Sequence, residues 1–503
     1  MIYIPLHLLL DFDLKNKMRL YQSLLYWKSL GIPYVGISGD LTFQPKTNRN
    51  VTIQEQYMKL APHPFGGIYD GAKPVLLIRD PELIRAILIK DFSHFTDRGI
   101  VVNEEIDPLN AHLISLRGQR WRNIRIKLVP TFSSGKLRAM YPLMEQYAGI
   151  LEKGVGDLMM RFAADVIGVC ALGLDCQAIA DEESEFRAAG RRMKPLKWKF
   201  FVRQVLRSIH PKIISWLRWK ATDRKAEDFF MGVTREAIKH REENQDKRTD
   251  FMQLLINLQH EEQRTLQDGA GELDYRSQLG TKISEPLFTD HVVAAHVMIF
   301  FLAGFETVSS AVSSCLYELA LNPSVANKLH AEIERVLAAH GGKLDYDSLK
   351  EMQYMGTVLE ETVRKYPNTG FLKRICTKAY EIPNSSLLIK EGTNVLIPTY
   401  SLHHDPQYFP EPEKFDPDRF NEENRSNIVQ GAYIPFGDGP RKCIAMRFAM
   451  MEARAALASI MRKYTVHPTS KTQIPLVFAD GKSGIPRPEK GIHLRFKARG
   501  GQF

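Results

Sequence analysis

The sequence predicts a mainly α-helical protein with a small β region, an α+β fold. Long segments repeat apolar residues at the spacing of one helix face, at about 137–175, 222–258, 287–322, 323–340, 347–366 and 443–463. The short apolar runs typical of strands are seen at 75–78 and 386–398. The 503 residues are 44% hydrophobic and 25% charged, as in globular domains. A polar stretch, 259–286, predicts an exposed loop.

The clearest local pattern is KPVLLIRDPELIRAILIK, residues 73–90. Its apolar start, 75–78, predicts a strand. Asp80 then stands where a helix N-cap is expected, with Pro81 as the first helical residue. Residues 386–398 predict two strands around a Lys-Glu-Gly turn. We therefore expect a sheet built from both ends of the chain.

We expect a single large domain over 31–503, because no stretch has the composition of a linker and no internal repeat is present. Residues 1–30 predict a short, atypical membrane-associating segment. Its apolar start is interrupted at Asp11 and Asp13, well short of the roughly 20 residues of a membrane span. Residues 18–28 alternate apolar and basic side chains, which fits an interfacial helix or a helix packed on the body of the protein.

Cysteine usage and charge limit the class of protein. The five cysteines are scattered and form no CxxC pair, which excludes a disulfide framework and a zinc site of the usual spacing. This favours a reducing, cytosol-facing environment. The net charge of +10 is compatible with nucleic acid, an anionic membrane or an acidic protein partner, and only the positions of the basic residues can decide.

The segment YIPFGDGPRKCIAMRF places two glycines, a proline and an arginine before Cys443 and a helix after it. A phosphate-binding loop is disfavoured, because Lys442 replaces the third glycine of that pattern and Pro440 lacks an amide donor. A buried structural cysteine is the common alternative. A thiolate metal ligand is the third reading, since a helix N-terminus stabilises the anion.

The third reading explains why the approach to Cys443 is so constrained. Gly437 and Gly439 would let backbone donors approach the sulfur, and Phe436 would shield one side. A single thiolate without companion ligands suits haem, whose porphyrin supplies four nitrogens.

A second unusual stretch is FFLAGFETVSS, which begins at Phe300 within a long apolar helix predicted from about 290 to 321. Gly304, Glu306 and Thr307 interrupt the apolar run, and burying such groups costs free energy unless they are paired or used. One explanation is a kink in which Thr307 bonds to the preceding turn and Glu306 meets a surface cation. The other is a functional site.

Taken together, these segments resemble the cytochrome P450 monooxygenases, over nearly the whole chain from about Gly31. The matching segments follow one another in the expected order: Trp121 with Arg125, 303–307, 361–364, 415–420 and 436–443. Phrases such as LIKDFSHFTDRG and HHDPQYFPEPEKFDPDRF are most similar to the insect microsomal branch linked to detoxification. One departure is Ala445, where the family usually has glycine.

The resemblance implies haem b, iron protoporphyrin IX, with Cys443 as the axial ligand of the iron. It implies catalytic roles for three residues, with Gly304 leaving room beside the iron, Thr307 bonding dioxygen or water, and Glu306 linking Thr307 to solvent. It also implies haem-contacting residues: Phe436, Gly437, Gly439, Arg441, Trp121, Arg125, Arg98, Arg374 and Ala303. Glu361, Arg364 and Arg419 are assigned to a buried ion-pair network.

The basic residues suggest two contacts. Residues 197–220 carry seven Lys or Arg and three of the five tryptophans, a composition typical of a membrane-surface contact. Residues 117–127, with Lys442 and Arg447, predict a docking surface for an acidic NADPH-cytochrome P450 reductase, with cytochrome b5 as a second candidate donor. A solvated helix face is the alternative. No flavin or nicotinamide fingerprint is present, and no nucleic-acid partner is expected.

We therefore predict a haem-thiolate monooxygenase of the endoplasmic reticulum membrane, with its catalytic domain facing the cytosol. It would insert one oxygen atom of O2 into lipophilic molecules, in a pocket built from 103–116, 294–303, 368–372 and 480–484. A peroxide isomerase or dehydratase is disfavoured, because such enzymes typically lose the Gly304, Glu306 and Thr307 set. A non-catalytic binder of haem or lipophilic ligands is the alternative outside catalysis.

Overall fold

The computed structural model describes residues 25–36, 48–70, 73–151, 158–173, 184–192, 216–217, 219–220, 222–246, 248–267, 286–479 and 488–500. Most of these residues are helical, and the strands are few and short, so the predicted mainly α fold with a small β region is confirmed. The helices are α1 Arg49–Lys59, α2 Pro81–Arg85, α3 Gly118–Leu128, α4 Ser134–Leu151, α5 Leu158–Ile167, α6 Glu185–Arg192, α7 Arg224–Asn244, α8 Phe251–Gln267, α9 Asp290–Leu321, α10 Pro323–Ala339, α11 Tyr346–Glu351, α12 Gln353–Lys365, α13 Thr399–His403 and α14 Met446–Lys463.

The strands form one four-stranded sheet and two hairpin-like pairs. They are β1 Phe65–Asp70, β2 Lys73–Ile78, β3 Leu372–Ile375, β4 Tyr380–Glu381, β5 Leu388–Ile389, β6 Asn394–Ile397, β7 Tyr464–Pro468 and β8 Leu494–Ala498. The larger sheet has the order β1-β2-β6-β3, with β2 and β6 parallel and the other pairs antiparallel. It therefore joins strands from both ends of the chain, as the sequence predicts.

The first helix of this region begins as expected. Asp80 is the N-cap of α2, and its carboxylate accepts a hydrogen bond of 2.7 Å from the Leu83 amide, with Pro81 at the first helical position. This arrangement satisfies an amide that the helix itself leaves unpaired. The predicted pair of strands within 386–398 also exists, but β5 pairs with β4 and β6 with β2 and β3, rather than with each other.

Two predicted helices are each divided in two. Residues 222–258 form α7 and α8, because Gln245 adopts a left-handed conformation (φ 50°) and Asp250 then accepts a hydrogen bond from the Gln253 amide. Residues 347–366 are divided at Met352, and the Glu332 carboxylate accepts hydrogen bonds from amides at the start of α12. The prediction of an exposed loop over 259–286 is wrong for the first part of that range, because α8 continues to Gln267. The segment 137–175 contains α4 and α5.

Helix α9 is the central helix of the larger core. It runs for 32 residues, its N-cap Thr289 accepts a hydrogen bond from the Val292 amide, and most of its apolar side chains are buried. Of the residues the structure describes, this is the one helix long and apolar enough to cross a membrane. Since 67% of its most apolar window is buried inside the protein, it has the character of a core helix.

The N-terminal residues that the structure describes pack on the sheet. Trp27 is 1% exposed, and its indole N–H donates a hydrogen bond of 3.0 Å to the carbonyl oxygen of Ile68 in β1. Of the two interpretations of residues 18–28, Trp27 therefore fits a helix packed on the body. The rest of the predicted 1–30 segment, up to residue 24, lies outside the described residues.

Candidate haem-thiolate site

A cavity of about 640 Å³ lies between α9 and the loop that carries Cys443. Its wall is mainly apolar and is built by residues from α3, α5, α9, α14, β3 and the loops between them. The structure brings together almost every site residue that the sequence predicts. Those that line the cavity are Arg98, Trp121, Arg125, Ala303, Gly304, Glu306, Thr307, Arg374, Phe436, Gly437, Arg441 and Cys443.

The loop before Cys443 is held by a chain of backbone hydrogen bonds. The Cys443 amide donates to the carbonyl of Phe436 at 2.9 Å, and the Gly437 amide donates to the carbonyl of Ile434 at 3.0 Å. Gly437 is left-handed (φ 70°), a conformation that costs other residues free energy. The sequence forms a tight turn here because glycine supplies that conformation at no steric cost.

Gly439 is the exception among the predicted cavity residues. It is left-handed (φ 66°), but it does not appear in the cavity wall. A Cβ at this position would collide with the carbonyl oxygen of Leu88. The expectation that Gly439 lets backbone donors approach the sulfur stays a prediction. Its missing side chain lets the loop pack against the backbone at residue 88.

The Cys443 side chain is exposed to the cavity, although the surrounding protein separates it from bulk water. This burial raises the pKa of the Cys443 thiol, whereas a backbone hydrogen bond from Ala445 and the charges of Arg98, Arg125 and Lys442 act in the opposite direction. A thiol in this setting loses its proton most readily when a metal cation binds the sulfur. Among the described residues no group of three or more His, Cys, Asp or Glu side chains is placed to hold a metal ion.

Ala445, the departure from the family pattern, is accommodated without strain. It is the residue that precedes α14, with φ −95° and ψ 16°. This conformation does not require glycine. The methyl group therefore imposes no backbone penalty on the loop.

Arg441 ties the cysteine loop to the wall of the cavity. Its guanidinium donates hydrogen bonds to the backbone carbonyls of Thr96, Leu113 and Leu116, at 2.9, 3.2 and 2.9 Å. It also stacks over the Trp121 ring, 3.7 Å from the ring centroid. Burial, together with repulsion from Arg98, lowers the pKa of Arg441 to about 8.

Three further guanidinium groups surround the same cavity. Arg98 and Arg125 each donate a hydrogen bond to the cysteine loop, at the carbonyls of Arg441 and Lys442. Arg374 is buried, and its Nε finds no hydrogen-bond partner in the part of the chain that the structure describes. Burial and the charge of Arg98 lower the pKa of Arg374 to about 9.

The four guanidinium groups that line this cavity repel each other, two of them (Arg374 and Arg441) buried and two (Arg98 and Arg125) partly buried. Asp97, 3.5 Å from Arg441, compensates only part of that charge. The arrangement therefore fits a ligand that brings carboxylates of its own. The two propionates of a haem meet this requirement. Together with the mainly apolar cavity beside Cys443, the residues present fit a haem.

On the opposite wall, Thr307 lies on α9 with its hydroxyl donating a hydrogen bond of 2.6 Å to the carbonyl of Ala303, one turn earlier. This is the local bond that the kink interpretation predicts. It does not remove Thr307 from the cavity, and the oxygen keeps lone pairs that can accept a proton donor. Glu306 and Ala303 line the same wall.

Gly304 serves helix packing. A Cβ at Gly304 would lie 2.7 Å from Cδ1 and 2.8 Å from Cγ1 of Ile167, at the end of α5. The position that a side chain would take is filled by Ile167, although Gly304 itself lines the cavity, so the role expected of it beside the iron stays a prediction. The close approach of the two helices is what requires glycine here.

The comparison with known proteins agrees with this geometry. The Cytochrome P450 family model matches residues 31–496. The chain belongs to the cytochrome P450 family. It is 38% identical over 492 residues to "Probable cytochrome P450 6a14" of Drosophila melanogaster, covering 93% of this chain and 94% of that protein.

Other insect P450s are similar to a comparable degree. "Cytochrome P450 6a8" of Drosophila melanogaster is 36% identical over 497 residues, covering 95% of each chain. "Cytochrome P450 6j1" of Blattella germanica is 36% identical over 471 residues, covering 90% of this chain and 89% of that protein. The resemblance to insect P450s is thus confirmed. The protein is a monooxygenase oxidoreductase with a haem-thiolate cofactor that uses O2, a lipophilic substrate and a redox partner.

The Glu-x-x-Arg segment of this P450 lies in α12 and forms a fully buried ion pair. Both Arg364 nitrogens facing Glu361 donate to its carboxylate, at 2.7 and 2.8 Å, and Arg419 lies 3.6 Å from the same carboxylate. Burial raises the pKa of Glu361, and Arg364 acts against that rise. The three residues assigned to a network from the sequence are therefore in contact.

Three of the four predicted substrate segments reach the cavity wall. They contribute Leu113, Ile114, Ile299, Phe300, Leu302, Ala303, Asn368, Thr369, Phe371 and Leu372. Of the fourth segment, 480–484, the structure describes no residue. Sequence reasoning missed wall residues from other elements, among them Phe132, Ile167, Cys170 and Phe251. Their apolar character matches any core position, so no pattern identifies them.

The predicted basic surface at 117–127 is only partly free. Arg120 pairs with Glu104 at 2.5 Å, and Lys127 lies 3.7 Å from Glu261. Arg117, Arg122 and Arg447 are exposed. Because Arg125 of α3 bonds to the carbonyl of Lys442, this helix adjoins the cysteine loop. Exposed positive charge therefore remains on the thiolate side of the site.

The predicted membrane-contact segment 197–220 lies mostly outside the described residues. Of its members that are described, Trp216 is 69% exposed and Leu217 59% exposed. Lys220 forms an ion pair of 2.7 Å with Glu227.

Proposed function

We propose that this P450 binds haem b and inserts one oxygen atom of O2 into lipophilic small molecules, with electrons from NADPH through NADPH-cytochrome P450 reductase. The substrates are xenobiotics such as plant toxins or insecticides, or endogenous lipids and hormones. The observation that carries the proposal is the placement of Cys443 and the Glu306–Thr307 turn on one apolar cavity. The net reaction is RH + O2 + 2e⁻ + 2H⁺ → ROH + H2O.

Haem b would be held by Cys443 at the iron and by Arg98, Arg125, Arg374 and Arg441 at its propionates. A bound haem would supply oxygen activation, which thiolate ligation would promote by donating electron density. These guanidinium groups are suited to this role because Arg forks bind carboxylates in bidentate geometry. Trp121, stacked on Arg441, keeps that guanidinium in place.

Thr307 and Glu306 act on the two protons that the reaction consumes. The Thr307 hydroxyl oxygen can accept a hydrogen bond at the cavity surface, and Glu306, one residue before it, is the neighbouring acid that links the hydroxyl to solvent. The apolar wall around them excludes bulk water. Proton supply is thereby restricted to positioned groups, which favours insertion of oxygen over release of peroxide.

Two features support the lipophilic substrate and the membrane. The wall segments that face the substrate side, such as Ile114, Ile299 and Phe371, are apolar and offer few polar partners. The exposed Trp216 and Leu217 and the basic composition of 197–220 suit an interfacial contact. We therefore assign the protein to the endoplasmic reticulum membrane, with the catalytic domain facing the cytosol.

The exposed cations beside the cysteine loop support electron entry on the thiolate side. An acidic flavoprotein surface would be steered to Arg117, Arg122 and Arg447. Cytochrome b5 would use the same charge complementarity. The R447E variant should raise the reductase concentration needed for half-maximal rate, whereas R235E, a charge reversal on α7, should not.

The deciding experiment is the absorption spectrum of the reduced, carbon monoxide-treated protein. Wild type should give the red-shifted band of a thiolate-ligated haem, C443S should lose it, and C376S, which alters another buried cysteine, should keep it. Reductase-dependent product from lipophilic probes should then follow. A shifted band without any product would favour the non-catalytic binder, and an unshifted wild-type band would contradict thiolate ligation.

A further inference from the structure

The backbone of Thr307 receives a hydrogen bond from outside its own helix. The side-chain amide of Asn368 donates through Nδ2 to the carbonyl oxygen of Thr307 at 2.9 Å. Asn368 lies in the segment between α12 and β3 and lines the cavity. The bond therefore joins the turn that carries Glu306 and Thr307 to the segment that follows the Glu361–Arg364 pair.

A second contact joins α9 to the same end of α12. The Tyr366 hydroxyl donates to the Glu318 carboxylate, and the Lys365 ammonium lies 2.9 Å from the same carboxylate. Glu318 is eleven residues beyond Thr307, about 16 Å along the helix axis at 1.5 Å per residue. The two contacts hold α9 at separate places, and the Asn368 contact falls at the turn that faces the cavity.

The Asn368 amide makes its contact through the donor. Its Oδ1 is buried and has no hydrogen-bond partner within the described ranges of the chain. Leaving this buried oxygen unpaired costs free energy. The hydrogen bond from Nδ2 to the Thr307 carbonyl is therefore the favourable polar contact of the Asn368 side chain. With the Thr307 hydroxyl bonded to Ala303, both the side chain and the carbonyl of Thr307 are fixed.

We propose that Asn368 is a positioning residue for oxygen activation, an inference that rests on the proposed function. By its hydrogen bond to the Thr307 carbonyl, Asn368 fixes the position of the Glu306–Thr307 turn in the cavity wall. Release of this bond lets the turn shift, and the Thr307 hydroxyl then no longer meets the reacting oxygen at the correct place. The electrons and protons then follow O2 + 2e⁻ + 2H⁺ → H2O2, in place of oxygen insertion into substrate.

The first test measures the backbone directly. In N368D a carboxylate faces the Thr307 carbonyl, and in N368A no side-chain donor remains. Hydrogen exchange of the haem-loaded protein, followed by mass spectrometry, should accelerate about fivefold in peptides covering 303–311, the factor that corresponds to one lost hydrogen bond. The matched control is Y366F, which should accelerate exchange near 318 and leave 303–311 unchanged.

The second test measures how the consumed electrons are divided between hydrogen peroxide and hydroxylated product. With reductase and a lipophilic probe, the ratio of hydrogen peroxide to hydroxylated product should rise about fivefold in N368D and N368A, while KM for the probe changes little. Y366F should lower thermal stability without altering that ratio. A residue that only stabilised the fold would behave as Y366F does.

The proposal fails if both Asn368 variants retain the wild-type exchange at 303–311, or if their peroxide-to-product ratio matches that of Y366F. It also fails if the KM for the probe rises in both Asn368 variants while the peroxide-to-product ratio stays constant, since that outcome would make Asn368 a substrate contact. A different result would contradict the proposed function: the wild-type protein itself would give no reductase-dependent product, whatever the hydrogen-exchange rates of the variants.

Discussion

His403 accepts a hydrogen bond at Nε2 from the backbone amide of Ile434, at 3.1 Å. Because Nε2 is the acceptor, the ring proton is at Nδ1, which lies 3.0 Å from the carbonyl of Arg364. The Ile434 carbonyl in turn accepts from the Gly437 amide. The neutral imidazole thus connects the buried Glu-x-x-Arg pair to the first turn of the cysteine loop.

Replacement of His403 by phenylalanine should therefore loosen the cysteine loop. The variant H403F leaves the Ile434 amide without its partner, at a cost of about 1–3 kcal/mol for a buried group. We expect faster hydrogen exchange at 434–443 and a smaller fraction of thiolate-type carbon monoxide spectrum. The control is H404F, since the His404 imidazole bonds within its own turn, to the Tyr400 carbonyl. Equal effects of the two variants would contradict the connection.

Stability should depend on pH through buried histidines. Burial lowers the pKa of His296 to about 4 and that of His112 and His404 to about 3, and it lowers the pKa of His403 well below its ordinary value. The unfolded chain takes up these protons below about pH 6.5, whereas the folded chain does not, so their contribution to stability is lost as pH falls. Burial of Glu452 raises its pKa and opposes this trend, so variants must be compared pairwise.

The variant H296L isolates one of these groups. The Nδ1–H of His296 donates a hydrogen bond of 2.7 Å to the Val292 carbonyl, and its Nε2 has no partner among the described residues. Between pH 7.5 and 5.5, wild type should lose about 1.3 kcal/mol more unfolding free energy than H296L. Denaturant unfolding at both pH values measures the difference. M298L, a neighbouring buried substitution without a titrating group, should parallel wild type.

The two glycines of the cysteine loop should tolerate alanine differently. Both have positive φ, but a Cβ at Gly437 would lie 3.8 Å from Leu372, whereas a Cβ at Gly439 would collide with the Leu88 carbonyl. We expect G437A to cost about 1 kcal/mol of unfolding free energy from the backbone alone. G439A should cost more and reduce haem retention. Thermal unfolding and haem content per chain measure both effects, and similar losses would contradict the assigned contact.

Gly304 and Ile167 should be energetically coupled. G304A should lose about 1–3 kcal/mol by overpacking against Ile167, and I167A should restore part of that loss in the double variant. The control is G232A on α7, where a Cβ meets no atom within 4 Å and alanine should instead stabilise by about 0.5–1 kcal/mol. Additive effects of G304A and I167A would show that the helices do not meet as described.

The local and charged features were predictable from the sequence because their determinants lie close together in the chain. The cap at Asp80 requires only the order Asp-Pro-Glu. The pair of Glu361 and Arg364 was predicted from the resemblance to the family's Glu-x-x-Arg motif, and the i, i+3 spacing on one helix lets the two side chains meet. The helix after Cys443 and the apolar helix around Thr307 follow from periodicity. The resemblance to the family then predicted that these segments lie around one cavity.

Other features depend on contacts between distant segments, which no local pattern records. Three contacts each involve a partner in another element. They are the hydrogen bond of the neutral His403 imidazole to the Ile434 amide, the bond from Asn368 to Thr307, and the close approach of Gly439 to the Leu88 carbonyl. The division at Gln245 was missed because apolar periodicity continues across it while a single left-handed residue ends the helix. The packing of Gly304 against Ile167 was not predicted, because a glycine gives no sign of which neighbour lies where its side chain would be.

Arg441 fixes the cavity wall near Leu113 and Leu116 through their backbone carbonyls, not through their side chains. An anchor of this kind does not depend on which side chains the wall carries. Residues in this part of the wall can therefore change in size and shape during evolution or directed mutagenesis while the scaffold around the thiolate persists. The lining of this part of the cavity can thus vary without disturbing the backbone contacts that hold the cysteine loop.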